Sequence, residues 1–362
     1  MTGIRWRDRR PLISVCVPAY NRARLLPALM ESVVSQDFGD FEVVLCEDQS
    51  PERDRIRAIV RRYEEASGRV IRYFENERNL GYDGNIRRLV RQATGTYLCF
   101  CGNDDLLAPG ALRRIGAAVQ RYPGVGVLLR TYATFRNTPD KIDQVYRYFS
   151  EERFFPPGAE TIVSFFKRCV VLPGVTLERE AALQWETERF DGYALYQIWL
   201  AANILADHPG VYLPEVIAHY RLDGIPDLGV SAAERRGNHV PGLRTPESSL
   251  FMMKGFLEIA RDVETTRGVR ITDAIERDLA NYSFPFVVIQ RSQGLGVFLR
   301  YVRDLGRLGY GRHFMFWVYA TVVTLVPEGL LWGAMRIVKR ALGHTPNIGR
   351  VSAGQKGFAS PR

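Results

Sequence analysis

The chain has 362 residues, which is enough for one large domain or two ordinary ones, and its 46% hydrophobic and 25% charged residues form a normal globular composition. The net charge of +9 favours acidic partners such as nucleotides, nucleic acid or an anionic membrane surface, and it does not discriminate among these three. The cysteines predict buried free thiols in a reducing compartment, because four of the five lie in apolar segments: Cys16, Cys46, Cys99 and Cys101. The charged N-terminus lacks the apolar core of a signal peptide.

Short β-branched and apolar runs alternate with segments of helical periodicity along the first third of the chain. Strands are predicted at residues 12–18, 41–46, 70–74, 97–101 and 125–129, with a helix after each of the first four. Single helices between short strands predict an α/β fold with a doubly wound, mostly parallel sheet. Residues 79–85 are predicted as a loop that precedes the third helix.

The remainder of the chain is less regular. Residues 131–157 show no clear period and predict a loop or lid, followed by helices at 161–169 and 193–205 and a strand at 211–221. The Gly- and Pro-rich stretch 222–245 is the best domain boundary, and the pattern beyond it is mainly helical. The tail from residue 343 has a composition typical of disorder.

A strongly apolar segment lies at residues 314–335, with Pro327 and Glu328 past its middle. A spanning helix needs about 20 apolar residues without such a break, so a helix or helical hairpin in the membrane interface fits better. Basic residues flank the segment on both sides, as expected beside anionic headgroups. The alternative is a buried helix that packs on the main domain.

Three polar clusters follow predicted strands and therefore meet at one edge of the sheet: residues 18–22, 47–50 and 102–105. Asp48 is suited to accept hydrogen bonds from a nucleobase or a ribose. Asp104 and Asp105 are suited to bind a hard divalent cation that also holds a diphosphate, although Asn and Asp are common in any strand-to-helix turn. The sequence contains no G-x-G-x-x-G after the first strand and no P-loop, which excludes the two commonest nucleotide sites of such sheets.

The ordered motifs ISVCVPAYNR, VVLCEDQS and ENERNLGYDGNIRRLVRQATGTYLCFCGNDDLL resemble family 2 glycosyltransferases of the GT-A fold. The resemblance covers about residues 11–225 and is closest to the bacterial branch that builds O-antigens and other surface polysaccharides, including abequosyltransferase-like enzymes. It implies a nucleotide-sugar half at 11–130 and an acceptor half at 131–230, after a short extension at 1–10 and before a helical region at 231–342. It also implies donor-nucleotide contacts at Pro18, Tyr20, Arg22, Asp48, Asn85, Asn103 and Asp104.

The resemblance further implies a divalent metal, Mn²⁺ or Mg²⁺, and a catalytic base. Many family members end the fourth strand in Asp-x-Asp-Asp, whereas Gly102 replaces the first Asp here, so Asp104 is the best metal ligand and Asp105 a second ligand or a helix cap. His219 is either a further ligand or a structural histidine, and Arg221 either contacts phosphate or covers the sheet edge.

The family base is a carboxylate at the start of a helix after the acceptor loop. Asp191 fits that position, an ordinary helix cap being the alternative, and Glu186 and Glu188 are rival bases.

The combined prediction is a metal-dependent, inverting glycosyltransferase at the cytoplasmic face of the membrane, which moves a sugar from a nucleotide-sugar to a glycan or lipid-linked acceptor. Its rivals are a sugar-phosphate nucleotidyltransferase and an inactive scaffold of a polysaccharide complex. The first is disfavoured because PAYNR stands where those enzymes carry a Gly-rich loop. A nucleic-acid partner is not expected, because no zinc-finger or RNA-recognition signature is present.

Overall fold

The structure is a computed structural model that describes residues 10–224, 229–236, 245–327, 329–331 and 333. The predicted extension at 1–10 and the tail from 343 therefore lie almost entirely outside the described residues.

The first half of the sheet consists of four parallel strands in the order β3-β2-β1-β4, joined by single helices. The strands are β1 Ile13–Ala19, β2 Phe41–Glu47, β3 Ile71–Glu75 and β4 Tyr97–Phe100, and the helices are α1 Leu26–Val34, α2 Arg53–Ser67 and α3 Gly81–Gln92. Each strand lies within one residue of its predicted ends, and the predicted parallel, doubly wound arrangement is confirmed. The prediction of a loop up to Asn85 is wrong, because α3 already begins at Gly81.

The second half turns the sheet from parallel to mixed. It contains β5 Leu106–Leu107, α4 Ala111–Arg121, β6 Val127–Phe135, β7 Ile142–Tyr146, β8 Arg153–Phe155, β9 Val175–Glu178 and β10 Gly210–Arg221. Strand β9 lies antiparallel between β4 and β6, while β6 and β10 are parallel. The prediction of a loop or lid at 131–157 is wrong, because that stretch holds the end of β6 together with β7 and β8.

The strand predicted at 125–129 is the start of β6, and the part of β6 beyond residue 129 was missed because it buries polar side chains where a buried strand is expected to carry apolar ones. Arg130 is fully buried, and its guanidinium donates to Cys99 Sγ at 2.9 Å, Phe100 O at 2.9 Å and Val175 O at 2.7 Å. A buried guanidinium is tolerated only where such hydrogen bonds replace water. Arg130 thus joins β6 to β4 and β9 beneath the loop that follows β4.

Helices cover both faces of the sheet. On one face Val15 of β1 packs in a cluster with Leu29 of α1 and Leu112 of α4, and on the other Cys16 shares a cluster with Leu89 of α3. The second face also carries α5 Ala159–Phe165, which continues as a 3₁₀ turn at Phe166–Cys169, a 3₁₀ turn at Leu172–Gly174, α6 Arg179–Gln184 and α7 Tyr196–Asp207. All five cysteines are buried and free, as predicted for Cys16, Cys46, Cys99 and Cys101.

The C-terminal helices extend this second cluster and do not form a separate core. They are α8 Ala232–Arg236, α9 Pro246–Arg267, α10 Thr272–Asn281, α11 Phe284–Arg291, α12 Leu295–Arg307 and α13 Phe314–Leu325, with a 3₁₀ turn at Tyr310–Arg312. One continuous set of buried residues includes Ile198 of α7, Met253 of α9 and Val323 of α13. The helical C-terminal region predicted from the sequence is therefore present and packs on α7.

Helix α13 has one buried side and one exposed side. Phe316, Tyr319, Ala320 and Val323 are buried, whereas Phe314 is 79% and Leu325 75% exposed. The helix ends at Leu325, two residues before the predicted break at Pro327; Glu328 lies outside the described residues. Among the described residues, no helix combines the length and the apolar character needed to cross a bilayer.

Candidate functional site

The loops that follow β1, β2 and β4 meet at the carboxyl edge of the sheet. The backbone N–H of Asp48 donates to Ala19 O at 2.9 Å, and that of Cys101 donates to Cys16 O at 3.0 Å. From the third loop, the Asn103 amide donates to Tyr20 O at 3.4 Å and Asn21 O at 3.0 Å. The structure thus brings the three polar clusters together at one edge. Pro18 and Tyr20 are partly exposed at the end of β1.

Arg22 and Asp104 form the only ion pair that joins the first of these loops to the third within the described part of the chain. Arg22 Nη1 lies 2.7 Å from Asp104 Oδ2, with the side chains 20% and 10% exposed. Asn21 and Arg22 both have left-handed backbones, with φ of 52° and 61°. Such conformations cost about 1–3 kcal/mol each for non-glycine residues and persist only where surrounding contacts enforce them. The hydrogen bonds of Asn103 supply part of that enforcement.

The Asp48 carboxylate is buried and binds the start of α3. Its Oδ1 accepts from Asn76 Nδ2 and from the Leu80 N–H, each at 2.8 Å, and its Oδ2 accepts from the Gly81 N–H at 2.9 Å. Burial raises the pKa of Asp48 to about 6, although these hydrogen bonds favour the charged form. Asp48 therefore organises the loop between β3 and α3, and its contact with a nucleotide stays a prediction.

Asn85 lies behind the site. Its Oδ1 accepts from Asn76 Nδ2 at 3.1 Å and its Nδ2 donates to Cys46 O at 3.0 Å, so the amide joins α3 to the residue after β3 and to β2. Asn85 is 3% exposed. Its described contacts hold the Asp48 loop in position, and the predicted donor contact would require those bonds to open.

Asp105 holds the turn after β4. Its Oδ1 accepts from the Arg221 N–H at 2.9 Å and its Oδ2 from the Gly102 N–H at 3.2 Å. Burial and the neighbouring charge of Asp104 raise the pKa of Asp105 well above its ordinary value. Strand β5 follows Asp105, and no helix begins there, so the predicted alternative that Asp105 caps a helix is wrong. Its carboxylate accepts hydrogen bonds from the backbone N–H groups just described.

His219 and Arg221 lie on β10 beside this turn. The His219 ring meets Phe135 edge-on at 6.4 Å, and burial lowers its pKa. Its Nδ1 is buried and, among the described residues, has no hydrogen-bond partner. Arg221 lies over the Phe135 ring at 4.5 Å and donates from Nε to Asp104 O at 3.0 Å, so its guanidinium supports the site from the sheet edge.

The three candidate bases are all ion-paired with arginines of α3. Arg87 forms a two-pronged pair with Asp191, at 2.6 and 2.9 Å, and its Nη2 lies 3.5 Å from Glu188 Oε1. Arg91 pairs with Glu186. Helix α7 begins only at Tyr196 and has no side-chain cap, so the alternative that Asp191 caps this helix is wrong.

Sequence reasoning missed Asp83, which orders the loop between Asp191 and α7. Asp83 Oδ2 accepts from the N–H groups of Gly192 at 2.8 Å and Ala194 at 2.9 Å, and its Oδ1 accepts from Tyr196 at 3.0 Å. Complete burial raises the pKa of Asp83 to about 7. These partners are more than 100 residues away in sequence, so no local pattern could have revealed them.

Helix α8 covers the start of α3 beside Asp48. Glu234 Oε1 accepts from the Tyr82 N–H at 3.0 Å, and Glu234 Oε2 accepts from Ser231 Oγ at 3.0 Å. A Cβ at Gly81 would lie 2.4 Å from Ser231 Oγ, so only glycine fits this approach. Helix α3 thus touches the candidate donor edge, the Asp191 loop and α8.

The metal-ligating side chains at this edge suit a cation that a substrate also binds. No group of three or more His, Cys, Asp or Glu side chains able to hold a metal occurs in the described ranges. Divalent cations at phosphate sites need only one or two carboxylates, because phosphate oxygens and waters complete the coordination. Asp104 fits that role as the carboxylate facing Arg22, whereas Asp105 is occupied by backbone N–H groups.

Comparison with known proteins finds a family model and several relatives that match part of the chain. Residues 14–169 match the model described as "Glycosyl transferase family 2". The chain is 36% identical over 103 residues to the GalNAc(5)-diNAcBac-PP-undecaprenol beta-1,3-glucosyltransferase of Campylobacter jejuni, covering 28% of this chain and 32% of that protein. It is 32% identical over 101 residues to abequosyltransferase RfbV of Salmonella typhimurium, covering 28% and 30% of the two chains. The chain thus spans about a third of the length of these relatives.

Among solved structures, the fold resembles that of Staphylococcus aureus TarS 1-349 in complex with UDP-GlcNAc, with a TM-score of 0.59 and 18% identity over 89% of this chain and 92% of that one. The complex of the same protein with UDP gives a TM-score of 0.54 with 17% identity over 89% and 91% of the two chains. At these identities the likeness shows the fold alone. The GT-A fold and the resemblance to family 2 are therefore both confirmed.

Proposed function

We propose that this chain, whose residues 14–169 belong to glycosyl transferase family 2, moves a sugar from a nucleotide-sugar to a glycan or lipid-linked acceptor. The observation that carries the proposal is the Arg22–Asp104 pair at the carboxyl edge of the sheet. An arginine and a carboxylate side by side suit the two halves of a diphosphate–cation complex, because the arginine attracts the phosphates and the carboxylate attracts the cation. Relatives named for sugar transfer, one of them to an undecaprenol-linked substrate, support this assignment.

The donor pocket is proposed between the loops after β1, β2 and β4. Pro18 and Tyr20 would line its floor, Asn103 would hold the Arg22 loop, and Asp48 with Asn85 would set the wall beneath the base or ribose. Asp104 would hold Mn²⁺ or Mg²⁺, with Asp105 positioning the turn and His219 as a candidate outer ligand. A bound cation would neutralise the negative charge that develops on the departing nucleoside diphosphate.

The base is proposed to be Asp191, with Glu186 and Glu188 as alternatives. Inversion in a single displacement needs one base for the acceptor hydroxyl and one stabiliser of the leaving group. The two-pronged pairing with Arg87 fixes the direction of the Asp191 carboxylate, and Asp83 holds the following loop. Arg87 would have to move away from Asp191 before an acceptor hydroxyl could reach the carboxylate, because the guanidinium donates to both Asp191 oxygens.

The C-terminal helices are proposed to bind the cytoplasmic membrane face. The exposed side of α13, here called the apolar face, comprises Phe314, Trp317, Val322 and Leu325. Residues 284–327 contain five arginines and a single acidic residue, which makes a net charge of +4 from 5 − 1. On α12, Arg300, Arg303 and Arg307 are exposed at helical spacing on the side opposite to the buried Phe298. Apolar and basic groups together are the signature of interfacial membrane binding.

The test is thermal stabilisation of the full chain by a panel of nucleoside diphosphates, with and without Mn²⁺. At least one of UDP, GDP, CDP and dTDP should raise the melting temperature, and Mn²⁺ should increase the effect, because a ligand that binds only the native state stabilises it. An exposed-site variant, Asp140→Asn, should respond like wild type. Absence of stabilisation by every nucleotide would contradict the proposed function and favour the scaffold alternative.

A further inference from the structure

The loop after β1 is built so that Arg22 faces Asp104. Two successive left-handed residues, Asn21 and Arg22, turn the chain back over the sheet edge. Asn103 binds the backbone of this turn, and the Ala23 N–H donates to Glu52 Oε2 at 2.9 Å on its far side. The strained turn is therefore held at both ends, and the Arg22 guanidinium reaches Asp104 Oδ2 at 2.7 Å.

Gly224 lies next to both the Asp104 carboxylate and the Arg22 guanidinium. A Cβ at position 224 would lie 2.5 Å from Asp104 Oδ2 and 3.9 Å from Arg22 Cζ. Asp104 Oδ2 is therefore contacted by the guanidinium and approached by Gly224. A second cation that approached this oxygen would be repelled while the guanidinium keeps its position, because like charges at such a distance repel.

Among the described residues, Arg22 is the cationic side chain that pairs with the Asp104 carboxylate. Asp105 is buried beside Asp104 and binds backbone N–H groups with both of its oxygens. The Arg221 guanidinium donates to the backbone oxygen of Asp104 and lies on Phe135, so its contact is not with the carboxylate. Arg130 is buried below, against Cys99 and two backbone oxygens.

We propose that Arg22 occupies in the free enzyme the place that the donor's divalent cation takes, and transfers its contact from Asp104 to the diphosphate when the donor binds. This inference rests on the proposed function, since it assumes a nucleoside diphosphate as ligand. At Asp104 the divalent cation replaces the guanidinium, and no covalent bond changes. The free enzyme should bind the metal weakly, and metal and diphosphate should each strengthen binding of the other.

The experiment measures Mn²⁺ binding and nucleoside diphosphate binding separately in wild type, Arg22→Ala and Arg22→Gly. The glycine variant removes the guanidinium while it tolerates the left-handed backbone, so the test does not depend on how well alanine is accepted. Arg24→Ala is the matched control, because Arg24 is exposed on the same loop. Mn²⁺ binding is followed by electron paramagnetic resonance without nucleotide, and nucleotide binding by calorimetry with and without Mn²⁺.

In the absence of nucleotide, both Arg22 variants should bind Mn²⁺ about tenfold more tightly than wild type. In the absence of metal, they should bind the nucleotide about tenfold more weakly than wild type. Arg24→Ala should change neither affinity. Equal or weaker Mn²⁺ binding in both Arg22 variants overturns the inference. If no nucleotide binds to wild type, the proposed function fails instead, and the two failures are thus distinguished.

Discussion

Replacing Phe314 and Leu325 by serine should weaken membrane binding without unfolding the protein. Both side chains lie on the apolar face and are 79% and 75% exposed, so the folded core does not depend on them. Full burial of a Phe or Leu side chain is worth about 1.5–3 kcal/mol, so burying the exposed part of both in lipid contributes about 2–4 kcal/mol. At about 1.4 kcal/mol per tenfold, the double variant should partition about 30-fold to 1,000-fold less well.

The assay is flotation of the full chain with vesicles that contain phosphatidylglycerol, compared with vesicles of phosphatidylcholine alone. Phe154→Ser is the matched control, because Phe154 is 47% exposed but lies on β8, where its ring stacks on Tyr122. Wild type and the control should float with anionic vesicles and lose binding as salt rises, since the arginine contribution is screened. Equal flotation of the double variant and wild type, at equal melting temperature, would refute the membrane role of α13.

Three further substitutions test the site and the fold. Asp191→Asn should cut turnover by about 10²–10⁴ with donor affinity retained. Turnover above about a tenth of wild type would move the base to Glu186 or Glu188. Because the pKa of Asp48 rises to about 6, the native state keeps a proton that the unfolded chain releases near pH 4. The free energy of unfolding of wild type relative to Asp48→Asn should therefore fall by about 2 kcal/mol from pH 4 to pH 6, and a flat difference in urea titrations would contradict this. Arg130→Met should destabilise the fold by about 2–5 kcal/mol in urea, and unchanged stability would show that its buried hydrogen bonds contribute nothing.

Local sequence patterns were sufficient to predict the parallel half of the sheet. Strands β1 to β4 are short apolar runs between helices with clear 3.6-residue periodicity, so burial of both sheet faces follows from the sequence. The loops with Arg22, Asp48 and Asp104 could be assigned to one edge for the same reason, since parallel strands present their carboxyl ends together.

The acceptor half could not be predicted in the same way. Strand β6 hides Arg130 inside the sheet, and β9 enters between β4 and β6 from far along the chain. The contacts of Asp83 with Gly192 and of Arg87 with Asp191 join residues 109 and 104 positions apart. Such pairings depend on the assembled tertiary structure and leave no periodic trace in the sequence.

The most direct test of the donor site is calorimetric titration of wild type and Asp104→Asn with the most stabilising nucleoside diphosphate, in Mn²⁺ and in EDTA. Asp104 faces Arg22 at the carboxyl edge, so wild type should gain at least about tenfold in affinity from Mn²⁺. Asp104→Asn should bind the nucleotide equally in both conditions, because the amide cannot neutralise the cation. A variant that keeps the full gain from Mn²⁺ would contradict the assignment of the donor site to this edge.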